Sequence, residues 1–136
     1  MYKSFFFLLF ATLFLGSCST GNLPTQINGS EWNVISILGK TLYENKTTKN
    51  IPYLSFSDNG KLFGSTGCNS FTGFYKLKGA SLSISPGSIT KMACPENTEQ
   101  SFLNAIKQAT SYKFDGDKLI LLNGTKTVMT LILKEN

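Results

Sequence analysis

The 136-residue sequence contains no histidine and no arginine, and these two absences remove most of the chemistry a small domain could carry. Without His there is no imidazole base, no Ser-His-Asp or Cys-His nucleophile pair, and no His-bearing metal site. Without Arg there is no planar fork to grip phosphate, and the Lys residues are scattered along the chain instead of forming the stripe a nucleic acid requires. An enzyme would have to work with eight carboxylates together with Lys, Tyr and Ser. Asp115 and Asp117 form a close carboxylate pair, but they flank Gly116 in what reads as a hairpin turn, where Asp and Gly are favoured for backbone reasons. No catalytic residue, metal ligand or cofactor is assigned, and nucleic acid is not expected as a partner.

What the sequence does contain begins with a leader. Lys3 supplies a positive start, Phe5 to Leu15 an apolar run, and Gly16-Ser17 the small residues that precede a cut. The run is too short to span a bilayer, which takes about 20 apolar residues as a helix. Leu15-Gly16-Ser17-Cys18 resembles the site at which bacteria cut and acylate exported lipoproteins. That resemblance implies a diacylglyceryl group on the Cys18 thiol, cleavage before Cys18 and acylation of the freed amine. Several acyl chains hold firmly, since each buried methylene contributes about 0.8 kcal/mol. The expected organisation is therefore a signal peptide over 1–17, a lipidated tether over 18–28 and one folded domain over 29–136. Ser19 is not the Asp that retains enteric lipoproteins in the inner membrane, and no acidic cluster follows Cys18. The expected location is the outer membrane, facing the periplasm.

Removing the leader takes five of the eleven Phe and lowers the formal charge from +5 to +4 through the loss of Lys3. Trp32, the remaining aromatics and the aliphatic segments still suffice for a core in a monomeric domain. Their spacing is mostly that of short strands. Trp32 to Leu38, Tyr53 to Ser57, Lys61 to Gly64, Phe71 to Leu77, Leu82 to Ile84, Tyr112 to Phe114, Lys118 to Leu122 and Thr127 to Leu133 are the expected strands. Asp58-Asn59-Gly60, Lys78 to Ser81, Asp115-Gly116-Asp117 and Asn123-Gly124 supply the turns. Leu131-Ile132-Leu133 is apolar on both faces, which predicts a strand inside the sheet or covered there. One segment has a different period: Phe102, Leu103, Ile106 and Ala109 recur at helical spacing after Pro95, Glu96 and Glu99. Pro and carboxylates suit the first turn of a helix, so a single amphipathic helix is expected from Pro95 to about Gln108, packed on the sheet through Phe102.

Two cysteines remain once Cys18 is acylated. In an oxidising compartment, Cys68 and Cys94 favour a structural disulfide, worth roughly 3 kcal/mol in the chain-entropy model. Two buried thiols and a redox pair are the alternatives, the latter disfavoured because the spacing is not Cys-x-x-Cys. These cysteines lie in the two most distinctive stretches, Gly64-Ser65-Thr66-Gly67-Cys68-Asn69-Ser70-Phe71-Thr72-Gly73-Phe74-Tyr75 and Ile89-Thr90-Lys91-Met92-Ala93-Cys94.

Here the chain resembles the META domain family, also called HslJ-like. The family pattern is a Trp-bearing first strand, Gly-Cys-Asn-x-Phe/Tyr-x-Gly-x-Tyr, Thr-x-Met-Ala-Cys, and a Glu leading a helix with Phe. Trp32, Gly67 to Tyr75, Thr90 to Cys94, Glu99 and Phe102 match it, and the likeness runs from about Gly29 to the end. The resemblance implies a mainly β fold, a small antiparallel β-barrel or curled sheet with one packed α-helix. It also implies structural roles for Gly67 and Gly73 in backbone geometry, for Asn69 within a turn, and for a Cys68–Cys94 bridge. Asn69, Thr90 and Lys91 are the candidates for a shared surface patch. The functional expectation is a non-enzymatic domain, held at the membrane by lipid on Cys18, that supports envelope integrity under stress by binding another envelope protein or polymer. The alternatives are a barrel holding a small apolar ligand, and an inhibitor that presents the loop Leu42 to Pro52.

Overall fold

A computed structural model describes residues 26–42, 50–94 and 97–135. Cys18 and the leader, most of the Leu42 to Pro52 loop, and Pro95 and Glu96 therefore lie outside the described residues. Nine strands form one antiparallel sheet: β1 (Ser30–Ile37), β2 (Lys40–Thr41), β3 (Tyr53–Phe56), β4 (Lys61–Ser65), β5 (Ser70–Lys78), β6 (Ser81–Ile89), β7 (Ser111–Asp115), β8 (Lys118–Asn123) and β9 (Lys126–Leu133). One helix, α1 (Thr98–Gln108), joins β6 to β7.

From β3 to β9 the chain runs from each strand to its neighbour, and the sheet closes in a ring because β9 also pairs with β1, from Trp32↔Leu133 to Ile37↔Met129. On its other side β1 is shared, with β3 along its first half and the two-residue β2 at its end. β9 is thus hydrogen-bonded on both sides and lies inside the sheet, as its apolar run predicts. After β9, the Lys134 ammonium lies 2.6 Å from the Glu31 carboxylate and its backbone N–H bonds the Glu31 carbonyl, continuing the seam past the last strand.

Alternation explains the core. In β3 to β6 every second residue turns inward, so Leu54, Phe56, Leu62, Phe71, Tyr75, Leu82 and Ile84 are buried while their neighbours face out. Trp32, Val34, Leu119, Leu121, Met129 and Leu131 complete the lining from the opposite wall. Bulges between Phe71 and Gly73 and between Val34 and Ser36 increase the local twist, which a closed sheet requires. At the first of these, Gly73 passes so close to β6 that a Cβ would stand 2.5 Å from the Ser85 carbonyl oxygen, leaving no room for any side chain.

The ring is not evenly knit. β7 meets β6 only at Ser81↔Ser111, since β7 runs on past the start of β6. The helix covers the edge of β6 left open, packing against β6, β9, β1 and β8 and burying Phe102, Ala105 and Ile106 in the same cluster as the strands. Phe102 meets Phe71 edge to face at 5.5 Å. The helix begins at Thr98, later than the expected start at Pro95, with Glu99 in its first turn. It ends where Ala109 turns extended and its N–H still bonds the Ala105 carbonyl. β2 was not anticipated, because two exposed residues carry no periodic signal, and β6 extends well beyond Leu82 to Ile84.

One end of the ring is fastened by Tyr75. Its hydroxyl donates to the Ser57 carbonyl at 2.6 Å, its N–H donates to the Gly60 carbonyl, and its ring lies edge-on to Phe56 at 5.0 Å. Burial, and secondarily the nearby Asp58 carboxylate, hold the phenol protonated above the usual tyrosine range. A proton bound more tightly in the folded chain contributes stability fully present below the unfolded pKa of about 10 and lost as pH rises through the folded value. Tyr75→Phe should therefore cost about 1 kcal/mol near pH 8. That deficit should shrink as the pH is raised past about 10, because only the parent loses this contribution. Urea melts of both proteins across that range check it, and a deficit independent of pH would contradict it.

Candidate functional site

The two distinctive stretches of the sequence meet beside the start of the helix. The β4–β5 turn carries Thr66 to Asn69, the strap after β6 carries Thr90 to Cys94, and α1 brings Glu99. Four features shape the turn. Gly67 takes a φ of +90°, which side chains disfavour, and the Ser65 hydroxyl accepts its N–H. The Thr66 N–H donates to the Asn69 carbonyl, and the Asn69 N–H donates back to the Thr66 hydroxyl at 3.0 Å. The loop thereby holds its own backbone groups and turns the Asn69 side chain inward.

That side chain connects all three segments. Its Oδ1 accepts the Met92 N–H at 2.8 Å and the Thr90 hydroxyl at 3.0 Å. Its Nδ2 donates to the Glu99 carboxylate at 2.6 Å, to the Met92 carbonyl at 3.1 Å and toward the Cys94 sulfur at 3.2 Å. The Thr66 hydroxyl donates to the same Glu99 oxygen at 3.1 Å. The Met92 backbone thus gives and takes one bond from a single amide, as a neighbouring strand would. Thr90 adds a second tie to β5, accepting the Ser70 N–H on its hydroxyl and donating its own N–H to the Ser70 carbonyl.

A disulfide joins Cys68 to Cys94 across the same junction, with Cα atoms 5.9 Å apart, a separation a bridge spans without moving the backbone. Asn69 departs from its expected place. Instead of lining a surface patch it is 1% exposed, as is Thr66, while Thr90 and Lys91 do face solvent. The physical reason is that a primary amide with five contacts from the strap and the helix has to sit between them. Thr66 and Glu99 were not recognised from sequence as partners of Asn69. A Thr three residues before an Asn in a Gly-containing turn is the local signal for the first. No local signal exists for the second, which is 30 residues away from Asn69.

Chemically, this junction is a clasp. Thr66 would be the nucleophile and Glu99 its base if it were a catalytic pair, yet the hydroxyl is enclosed, on a residue 1% exposed, where no substrate reaches it. Asp115 and Asp117 lie at an exposed β7–β8 turn around Gly116, as a turn pair should. Among the described residues, no three acidic or Cys side chains group so as to hold a metal ion. The inward positions of β5 and β9 that a ligand-holding barrel would leave unpacked, such as Phe71, Tyr75, Met129 and Leu131, are packed into the common core. A groove of about 490 Å3 lies outside that core, between the β1–β2 corner and the helix start, lined by Ile37, Leu38, Leu42 and Thr98 among others.

A family model described as the META domain matches residues 25–136. Among solved structures, a protein determined by NMR is 25% identical, with 76% of this chain and 88% of that one covered at a TM-score of 0.60. A DUF4847 family protein from Bacteroides vulgatus is 19% identical over 79% of this chain and 94% of that one, with a TM-score of 0.59. A protein from Burkholderia xenovorans is 22% identical over 81% and 85%, with a TM-score of 0.61. The last two likenesses show the fold alone. No curated protein matches the chain.

Removing the bridge, with Cys68→Ala and Cys94→Ala together, should lower stability by about 2–4 kcal/mol. It should leave the far-ultraviolet circular dichroism of the sheet unchanged, because Asn69 still holds the Met92 backbone. Collapse of the β signal would show that the sulfurs, and not the amide, keep the strap in place.

Proposed function

The chain belongs to the META domain family, and from that membership we propose that it is a lipid-anchored envelope domain that acts by binding and not by catalysis. The observation that carries this reading is how the polar side chains of its two distinctive stretches are used. Thr66, Asn69, Thr90 and Glu99 spend their bonds on one another and on the strap backbone, and Cys68 and Cys94 are joined. Groups committed in this way hold a shape and offer no reacting atom to a substrate. The domain then presents its outer surface, and its partner is an envelope protein or polymer.

The disulfide favours an exported setting, since such bridges persist in oxidising compartments. The leader and the Leu15 to Cys18 pattern favour acylation at Cys18, with the domain on the periplasmic side of the outer membrane as a monomer. Its task in this reading is to support envelope integrity under stress.

Growth with an alkyne-bearing fatty acid tests the anchor, and crosslinking with capture of the labelled protein tests the binding role. The label should enter the parent and be lost in Cys18→Ser, and one envelope component should be retained by the acylated form alone. Equal labelling of both forms would remove the anchor. Identical retention by both forms would remove the dependence of binding on it.

A further inference from the structure

The outer face of β4 and β5 carries two phenylalanines that the fold leaves uncovered. Phe63 is 44% exposed and Phe74 is 60% exposed. They stand on the same face: Phe63 pairs with Thr72 and Phe74 with Lys61, so the two rings are diagonal neighbours on adjacent strands, within reach of one another. Lys61 and Lys76, both exposed, flank Phe74 across and along the sheet. A single exposed aromatic is ordinary, whereas two together between ammonium groups have the composition of a surface that rests on a lipid interface.

The path of the chain selects this face. The first described residues are fastened beside it, at the β3–β4 turn. The Asn28 side-chain amide donates to the Asp58 carboxylate at 3.1 Å, and the Gly29 N–H donates to the Phe56 carbonyl. Ile27 is fully buried, and its carbonyl accepts the Trp32 indole N–H. The Lys61↔Phe74 pair lies next to that same turn, where the Gly60 carbonyl holds the Tyr75 N–H. Only residues 19–25 separate Cys18 from Gln26. At no more than ~3.6 Å per residue they let the β3–β4 end of the ring stray less than about 30 Å from an anchored Cys18. The end of the domain bearing Phe74 and Lys61 is therefore held within reach of the bilayer by an anchored Cys18.

We propose that the Phe63–Phe74 face, with Lys61 and Lys76, docks on an anionic phospholipid surface, the rings entering the headgroup region and the ammonium groups meeting lipid phosphates. The position of the tether in this inference rests on the anchored reading above. The docked pose turns the opposite wall of the ring, β8 and β9, away from the membrane.

The test places photoreactive p-benzoylphenylalanine at Phe74, or at Thr127 on the exposed side of β9, in the full chain in its native envelope, while fatty-acid labelling reports acylation separately. Position 74 should give at least about fivefold more lipid adduct than position 127, as an interfacial face requires. Lys61→Glu with Lys76→Glu should cut that adduct severalfold. If the protein is acylated and the two positions react alike, or position 74 reacts with protein alone, the docking is overturned and the anchor stands. If no acyl group is found, the anchored reading falls, and a surviving preference of position 74 for lipid would still support the docked face. Loss of that preference in the unacylated protein would overturn it.

Discussion

A buried primary amide must place two N–H bonds and two lone pairs, or cost the fold the desolvation of each one left unmatched. At Asn69 all of them are used, and the groups that use them come from a strap after β6 and from the first turn of α1. Among the described residues no buried side-chain polar atom lacks a partner. Much of the architecture depends on this one side chain being satisfied. Past Thr90 the strap makes no strand pairing, so the Met92 backbone finds in the amide what a sheet would otherwise supply. Glu99, bound to the same amide and to Thr66, fixes where the helix begins. The helix start in turn sets how Phe102 meets Phe71 and how the open edge of β6 is covered.

The disulfide and the amide act on the same junction by different physics. The bridge restricts the unfolded chain over a separation of 26 residues, while the amide contributes only when the three segments are in place. Closure of the ring is a separate matter, secured by the long β1–β9 pairing and by the Lys134–Glu31 pair just beyond it. The molecule therefore has two seams. One is strand on strand at β1 and β9, and the other is loop, strap and helix at Asn69, at the far end of β6 from its single pairing with β7.

The strands were legible because alternation is local: Phe71, Gly73 and Tyr75 turn in while Thr72, Phe74 and Lys76 turn out, as their spacing says. Turn residues at Asp58 to Gly60 and around Gly116 marked the hairpins for the same reason. The pairing of β1 with β9 was not legible, because nothing in either strand identifies a partner about 100 residues away. The β2 strand is too short to show a period. At the junction, the Cys68 and Cys94 pair was legible from the residues themselves and the family likeness brought Asn69 to notice, but the residue types alone did not reveal whether Asn69 faced water or protein. Its burial follows from where Glu99 and Met92 arrive, and that is decided by the fold as a whole. Phe63 and Phe74 show the converse: their alternation placed them on an outer face, and only the fastening of Asn28 to Asp58 shows which end of the domain that face adjoins.

Asn69 and Glu99 act as one coupled unit that binds the helix to the β4–β5 turn. A double-mutant cycle on Asn69→Ala and Glu99→Ala, read from denaturant melts, measures that coupling directly. The account predicts a coupling energy of about 1.5–3 kcal/mol, the range for a hydrogen bond to a charged acceptor. Strictly additive losses would mean that the two residues stabilise the domain independently, and the clasp would not exist.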